Sequence, residues 1–286
     1  MLAVYNFAKS GFYRVFAGLI ALLMTFSNGL NGLFNGNIYP YESNSKVIGL
    51  ESLERAQGVT TDGKAWIFSG KSCLVRIAFD NQTVLACNYK AIPDELKEKC
   101  DSKHIGGISY YNGKIYVPLE DSKKWQHPTV AVYDAETLEF TGEYHELSKE
   151  ILTRGMSWLA CDKEKGLIYS SHSKDADVLY CFDINTFEFV KTITLSQTVE
   201  KIQGGDVYNG ILYVGTNDDT RAVYKININT GNVEKAFDRI MYQPKLIDNF
   251  GGEGEDLTVL TMEDGTFIHA LDIGTLFIDA NLRHYK

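Results

Sequence analysis

The sequence predicts an all-β fold: a β-propeller of five four-stranded blades, closed by a strand from the N-terminal side. Three observations carry this. A glycine-centred hairpin turn recurs five times, and a second turn, Asp or Asn followed three positions later by Thr, recurs four times. Successive turn glycines lie 50, 53, 44 and 55 residues apart. A unit of about 50 residues holding four short strands is a propeller blade.

The first turn reads Asp62-Gly63, Asn112-Gly113, Lys165-Gly166, Asn209-Gly210 and Asp264-Gly265, each followed by an apolar or aromatic run such as Ile115-Tyr116 or Leu212-Tyr213. Asn-Gly and Asp-Gly favour hairpins because a type I′ turn needs positive φ at both central residues. It joins strand A of each blade to strand B. The second turn reads Asp80…Thr83, Asp134…Thr137, Asp183…Thr186 and Asn227…Thr230. Its Asp or Asn can accept a backbone N–H two residues on, so these residues belong to hairpin tips between strands C and D rather than to catalysis.

The last blade has three strands of its own, Gly254–Met262, Thr266–Asp272 and Phe277–Tyr285, with Asp272-Ile273-Gly274-Thr275 imitating the second turn. Lys46–Leu50 can supply the fourth. That pairing closes the ring and removes two open sheet edges. A sixth, degenerate blade built from residues 238–252 and the N-terminal segment would have too few residues for four strands.

Residues 1–36 differ from the rest. Lys9 and Arg14 are the only charges before Glu42, and the apolar run Val15–Phe26 follows them. A basic flank before an apolar stretch of that length reads as a signal peptide. An uncleaved anchor reaching Phe34 is the alternative, since a membrane span needs about 20 residues. The expected organisation is a leader or anchor over residues 1–36 and a propeller over 37–286, secreted or held on the extracytoplasmic side of a membrane.

Composition narrows the partners. Asp plus Glu number 37 against 28 Lys plus Arg, a net charge of −9, which argues against a phosphate backbone as ligand. The five cysteines, Cys73, Cys87, Cys100, Cys161 and Cys181, form no C-x-x-C pair. Cys73 and Cys87 are equidistant from the Asp80 tip and could face each other across two strands, as a disulfide or as two small buried residues. No G-x-S-x-G, no P-loop and no G-x-G-x-x-G leading into a helix is present.

In a propeller the long connections from strand D to the next strand A gather around one channel mouth. Here they fall near 89–103, 143–153, 193–202 and 238–251. The first holds a helix start at Pro93-Asp94-Glu95-Leu96-Lys97, and Glu146–Leu152 suits a second helical turn. Each strand A begins with glycine beside a polar residue: Gln57-Gly58, His104-Ile105-Gly106-Gly107, Arg154-Gly155, Gln203-Gly204-Gly205-Asp206 and Glu253-Gly254-Glu255-Asp256. Glycine permits close approach of backbones near an axis. Buried polar groups need partners, so Gln57, His104, Arg154, Gln203 and Glu253 are expected as a polar ring that bonds each other, water or a ligand. Glu253 and Glu255 share a strand face. With Asp206 they could hold Ca²⁺ through oxygens; an ion pair with Arg154 is the simpler account. His104 suits a general base or ligand, or a hydrogen-bonded structural histidine.

The blade motifs make the chain resemble, over residues 46–286, the broad group of secreted bacterial propellers that includes quinoprotein-like, lactonase-like and glutaminyl-cyclase-like families. Those motifs serve unrelated functions, so the resemblance implies fold and not activity. Two functions follow as expectations. The first is an extracytoplasmic module binding a small polar molecule, a glycan or a peptide at the channel mouth. The second is a calcium-dependent, lactonase- or esterase-like hydrolase or lyase in the same channel, with Asp206, Glu253 and Glu255 around Ca²⁺ and His104 moving protons.

Overall fold

The computed structural model describes residues 40–121, 124–239, 252–274 and 279–286. The leader or anchor expected over 1–36 and most of the 238–251 connection lie outside the described residues. No helix among the described residues is long and apolar enough to cross a membrane.

Five antiparallel sheets form the five blades. The first strand of the chain, β1 (Ser43–Ile48), does not start blade I. Blade I is β2 (Gly58–Thr61), β3 (Ala65–Ser69), β4 (Leu74–Ala78) and β5 (Val84–Asn88). In blade II the inner position is shared by β6 (His104–Ile105) and β7 (Ser109–Tyr111), followed by β8 (Lys114–Glu120), β9 (Thr129–Asp134) and β10 (Phe140–Glu146). Blade III is β11 (Ala160–Asp162), β12 (Leu167–Ser170), β13 (Asp175–Asp183) and β14 (Phe189–Glu200). Blade IV is β15 (Ile202–Tyr208), β16 (Ile211–Thr216), β17 (Val223–Asn227) and β18 (Val233–Phe237). Blade V takes β19 (Glu253–Val259), β20 (Ile268–Ile273) and β21 (Asp279–Tyr285), and its outer strand is β1, paired antiparallel to β21 from Ser43–His284 to Ile48–Asp279. The expected closure is therefore present, two or three residues earlier in the chain than Lys46–Leu50.

The turn chemistry explains the repeat. Gly63, Gly113, Gly166, Gly210 and Gly265 all have positive φ, and Asn112 and Asn209 join their glycines there as a type I′ turn requires. At the other tips Asp80, Asp134, Asp183 and Asn227 each accept the N–H groups two and three residues on, at 2.8–3.1 Å. The next residue but three adopts positive φ in three of these turns: Leu138, Phe187 and Gly231.

Both faces of the middle strands are buried, because each blade packs against two others. In β8, Ile115, Val117 and Leu119 join a cluster with Ile67 and Leu74 of blade I, while Tyr116 on the opposite face joins Leu159, Cys161 and Phe182 of blade III. This period of two recurs around the ring. Five hydrophobic clusters result, one between each neighbouring pair of blades.

Two expectations are corrected. Residues 193–202 are not a connection: β14 runs to Glu200 and only Lys201 separates it from β15. Ile193, Leu195 and Val199 are buried while their neighbours are exposed, so the alternation of a half-buried strand carries the segment. Cys73 and Cys87 do not face each other. A bulge between Arg76 and Ile77 shifts the register so that Cys87 lies opposite Val75, and all five cysteines are free thiols.

Candidate ligand-binding site

The chain enters every inner strand from the face that also carries the turns between the second and third strands of each blade. On this face the 89–103 connection folds into a helix, α1 (Asp94–Cys100), where Pro93 predicted a start. After β10 a single turn forms at Ser148, whose carbonyl accepts the N–H of Ile151 and Leu152.

The axis below this face is closed by a side chain. Asp256 of β19 is fully buried. Its Oδ2 accepts Val59 N–H of blade I and Ile108 N–H of blade II, both at 3.1 Å, and its Oδ1 accepts its neighbour Leu257 N–H at 2.8 Å. A Cβ on Gly204 of blade IV would lie 1.9 Å from the same Oδ1. One carboxylate can meet blades I, II and IV from blade V only on the common axis. Burial pushes the Asp256 carboxyl well above its ordinary range, against the pull of its three N–H donors.

Neighbouring polar side chains stitch the inner strands in the same manner. Thr60 Oγ1 accepts Tyr110 N–H from blade II, and Ser109 Oγ accepts Cys161 N–H from blade III, both at 3.0 Å. Asp206 Oδ2 accepts the Thr258 hydroxyl at 2.8 Å and Val259 N–H at 3.2 Å from blade V. The crowding expected of the glycines is real: a Cβ on Gly106 would fall 1.8 Å from Ser157 carbonyl oxygen, and one on Gly58 2.9 Å from Ile108 nitrogen.

The five residues expected as a polar ring are bonded within their own blades or connections. Gln57 donates to Ala56 carbonyl at 2.6 Å, and Gln203 to Lys201 carbonyl at 3.3 Å. His104 Nδ1 meets Glu120 Oε2 at 2.7 Å, and Arg154 pairs with Asp175, not with Glu253, at 3.4 Å. Glu253 hydrogen-bonds Glu255, and burial together with Glu253 raises the Glu255 carboxyl well above its usual range. Asp206 is committed to its clamp on blade V. Among the described residues, Asp206, Glu253 and Glu255 are not in a group whose ligand atoms converge within 4.8 Å.

The insertion face does hold a cleft. It has a volume of about 320 Å³ and lies between the 89–103 connection and the β3–β4 turn, lined by Ser72, Lys90, Ile92, Lys97, Ser102 and Lys103, with Tyr89 at its rim. Three lysines line one wall system in a chain of net charge −9. Lys97 and Lys103 are each paired with a single carboxylate, Asp94 and Asp101. Ser102 is 1% exposed and its hydroxyl has no hydrogen-bond partner. A buried hydroxyl without a partner costs about 1–3 kcal/mol, and a ligand oxygen or a water in the cleft would meet that need.

Comparisons with known proteins add no activity. A family model described as a repeat of unknown function (DUF6923) matches residues 136–253, less than half of the chain. No curated protein matches it. Among solved structures, hydrazine synthase of Kuenenia stuttgartiensis is similar at 14% identity and a TM-score of 0.43, over 84% of this chain and 59% of that one. A structural-genomics protein of unknown function from Bacteroides thetaiotaomicron is similar at 15% identity and 0.46, over 80% and 57%. The chain spans less than two thirds of the length of either structure.

The cleft residues were within reach of the sequence. The 89–103 connection is long for a propeller and carries a helix start at Pro93. The signal was the spacing of Lys90, Lys97 and Lys103 in an otherwise acidic chain. Asp256 stood beside the ring residues, and nothing in the sequence set it apart from Glu253 and Glu255.

Proposed function

We propose that the chain is a binding propeller of the extracytoplasmic kind, whose insertion face takes a small, polar, negatively charged ligand: an acidic sugar, a small anion or the side chains of an acidic peptide. The observation that carries this reading is the partnerless buried hydroxyl of Ser102 on the wall of a lysine-lined cleft. Lysine ammonium groups supply donors without acceptors, so the complementary ligand presents acceptors and negative charge. Ile92 adds an apolar residue to the lining, as small-molecule sites commonly have. Location outside the cytoplasm rests on the Lys9, Arg14 and Val15–Phe26 pattern.

The calcium-hydrolase reading is served less well. It needs ionised carboxylates converging on one point, whereas burial and Glu253 disfavour the charged form of Glu255 and Asp206 is engaged across the blade IV–V joint. Binding of inorganic phosphate, glucuronate and an acidic tetrapeptide, measured by calorimetry, tests the proposal. One of these should bind, and Lys90→Glu with Lys103→Glu should weaken it by about 10-fold or more, as removal of charge-assisted hydrogen bonds of about 1.5–3 kcal/mol would. Ser102→Ala should weaken it more modestly. Binding that ignores all three substitutions would refute the cleft. Stabilisation by calcium alone, lost in Glu253→Gln, would favour the hydrolase.

A further inference from the structure

A second constellation sits on the same face and uses none of the cleft residues. Cys100 ends α1, His127 lies between β8 and β9, and Glu146 ends β10. The ligand atoms of these three residues all lie within 4.8 Å of one another, the one such group among the described residues. Glu146 Oε2 is the hub: Cys100 Sγ lies 3.6 Å from it and His127 Nδ1 lies 3.1 Å from it. Bonds of about 2.0–2.3 Å to sulfur, nitrogen and oxygen around a tetrahedral ion imply ligand–ligand edges of roughly 3.3–3.7 Å. The sulfur–oxygen edge of 3.6 Å lies inside that range, and the nitrogen–oxygen edge of 3.1 Å lies about 0.2 Å below it.

The three residues are held from behind. Asp121 is 3% exposed, and its carboxylate accepts N–H groups from Trp125, Gln126 and His127 at 2.8, 2.7 and 3.1 Å. That fixes the loop presenting His127. Leu147 N–H donates to Pro128 carbonyl at 2.7 Å and ties the end of β10 to the same loop. Cys100 is 2% exposed, whereas the His127 and Glu146 side chains are 35% and 47% exposed. The thiol is thus at the back of the group and the outward side is open to water as a fourth ligand.

We infer that Cys100, His127 and Glu146 form a site for a borderline-soft divalent cation, zinc in the first place. One thiolate, one imidazole and one carboxylate suit zinc. They do not suit calcium, which takes six or more oxygens. On binding, Cys100 gives up its thiol proton to solvent, His127 offers its Nδ1 lone pair and Glu146 a carboxylate oxygen. The site assembles residues that are 27 and 46 positions from Cys100, so it also staples α1 to the outer part of blade II.

Cobalt is the probe. Full-length protein, stripped with chelator under reducing conditions, should bind one cobalt ion with a thiolate-to-metal charge-transfer band, and zinc should displace it. Zinc should raise the melting temperature of the wild type. Both effects should vanish in Cys100→Ser, and Asp121→Asn, which loosens the His127 loop, should weaken binding by about 10–100-fold. Apparent affinity should increase with pH as the thiol proton is released. His127→Gln, at a half-exposed position, serves if Cys100→Ser fails to fold. Absence of the band in the wild type would overturn the site, as would equal cobalt or zinc binding by Cys100→Ser or His127→Gln.

Discussion

Replacing Asp256 by alanine removes the acceptor at the centre of the ring. The carboxylate serves Val59 N–H, Ile108 N–H and Leu257 N–H, all in buried backbone. Each orphaned donor costs about 1–3 kcal/mol, and a lost buried carboxyl returns part of its own desolvation cost. We expect a net loss of about 3–6 kcal/mol, a large share of the ~5–15 kcal/mol that holds a domain together. Asp256→Asn keeps one oxygen, which can turn toward Val59 and Ile108, but points an amide N–H at Leu257 N–H. Its cost should be smaller, about 1–3 kcal/mol. Urea unfolding followed by fluorescence of the buried Trp66 and Trp158 measures both. If alanine costs under about 1 kcal/mol, or if asparagine costs as much as alanine, then counting donors on the axis is the wrong account of Asp256.

Two further predictions concern the same framework. Burial lowers His269 to about 4, so between an unfolded value near 6.5 and that folded value the unfolded chain binds the extra proton. Stability relative to a His269→Gln variant should fall with decreasing pH, by ~1.4 kcal/mol per pH unit and about 3 kcal/mol in total across that window. The comparison with the variant is needed because the buried carboxyls of Glu255 and Asp256, raised above their usual range, contribute a slope of the opposite sign. A wild-type-minus-variant difference that is flat from pH 7 to pH 4 would refute the assignment. Gly106→Ala would place a methyl 1.8 Å from Ser157 carbonyl oxygen, which is backbone and cannot step aside. It should cost about 3 kcal/mol or prevent folding, and a variant with wild-type urea midpoint would show that the inner strands have slack.

The fold was largely legible because a blade repeats its turn chemistry. Type I′ glycines and Asx-type caps depend on local backbone geometry, so one residue in the right place reports one hairpin. Leu138 and Phe187 show the limit. They hold the same positive φ as Gly231, yet as apolar residues they give no sign of it. The Cys73–Cys87 register failed for a related reason: the turn sets Ile77 opposite Val84, one residue off a centre on Asp80, and the bulge adds one more, neither with a composition mark. The polar ring meets a different limit. Sequence places Gln57, His104, Arg154, Gln203 and Glu253 at equivalent blade positions, but cannot say that His104 prefers Glu120 or that Arg154 prefers Asp175. Those choices depend on side-chain directions set by packing. The cleft and the Cys100–His127–Glu146 group join segments through tertiary contact, where no spacing rule applies.

The pairing of β1 with β21 has a consequence in time. Asn44 faces Arg283, so about 240 residues separate the partners, and at ~5–20 residues per second β1 waits roughly 10–50 s on the ribosome for its complement. Blades I to IV can form in order during synthesis, but blade V cannot. Until β21 is made, β1 is an unclaimed strand that could pair with the wrong edge. A circular permutant opened at the exposed Asp80 turn and joined from Lys286 back to Pro40 would make β1 follow β21 directly, turning the slowest pairing in the molecule into a local hairpin.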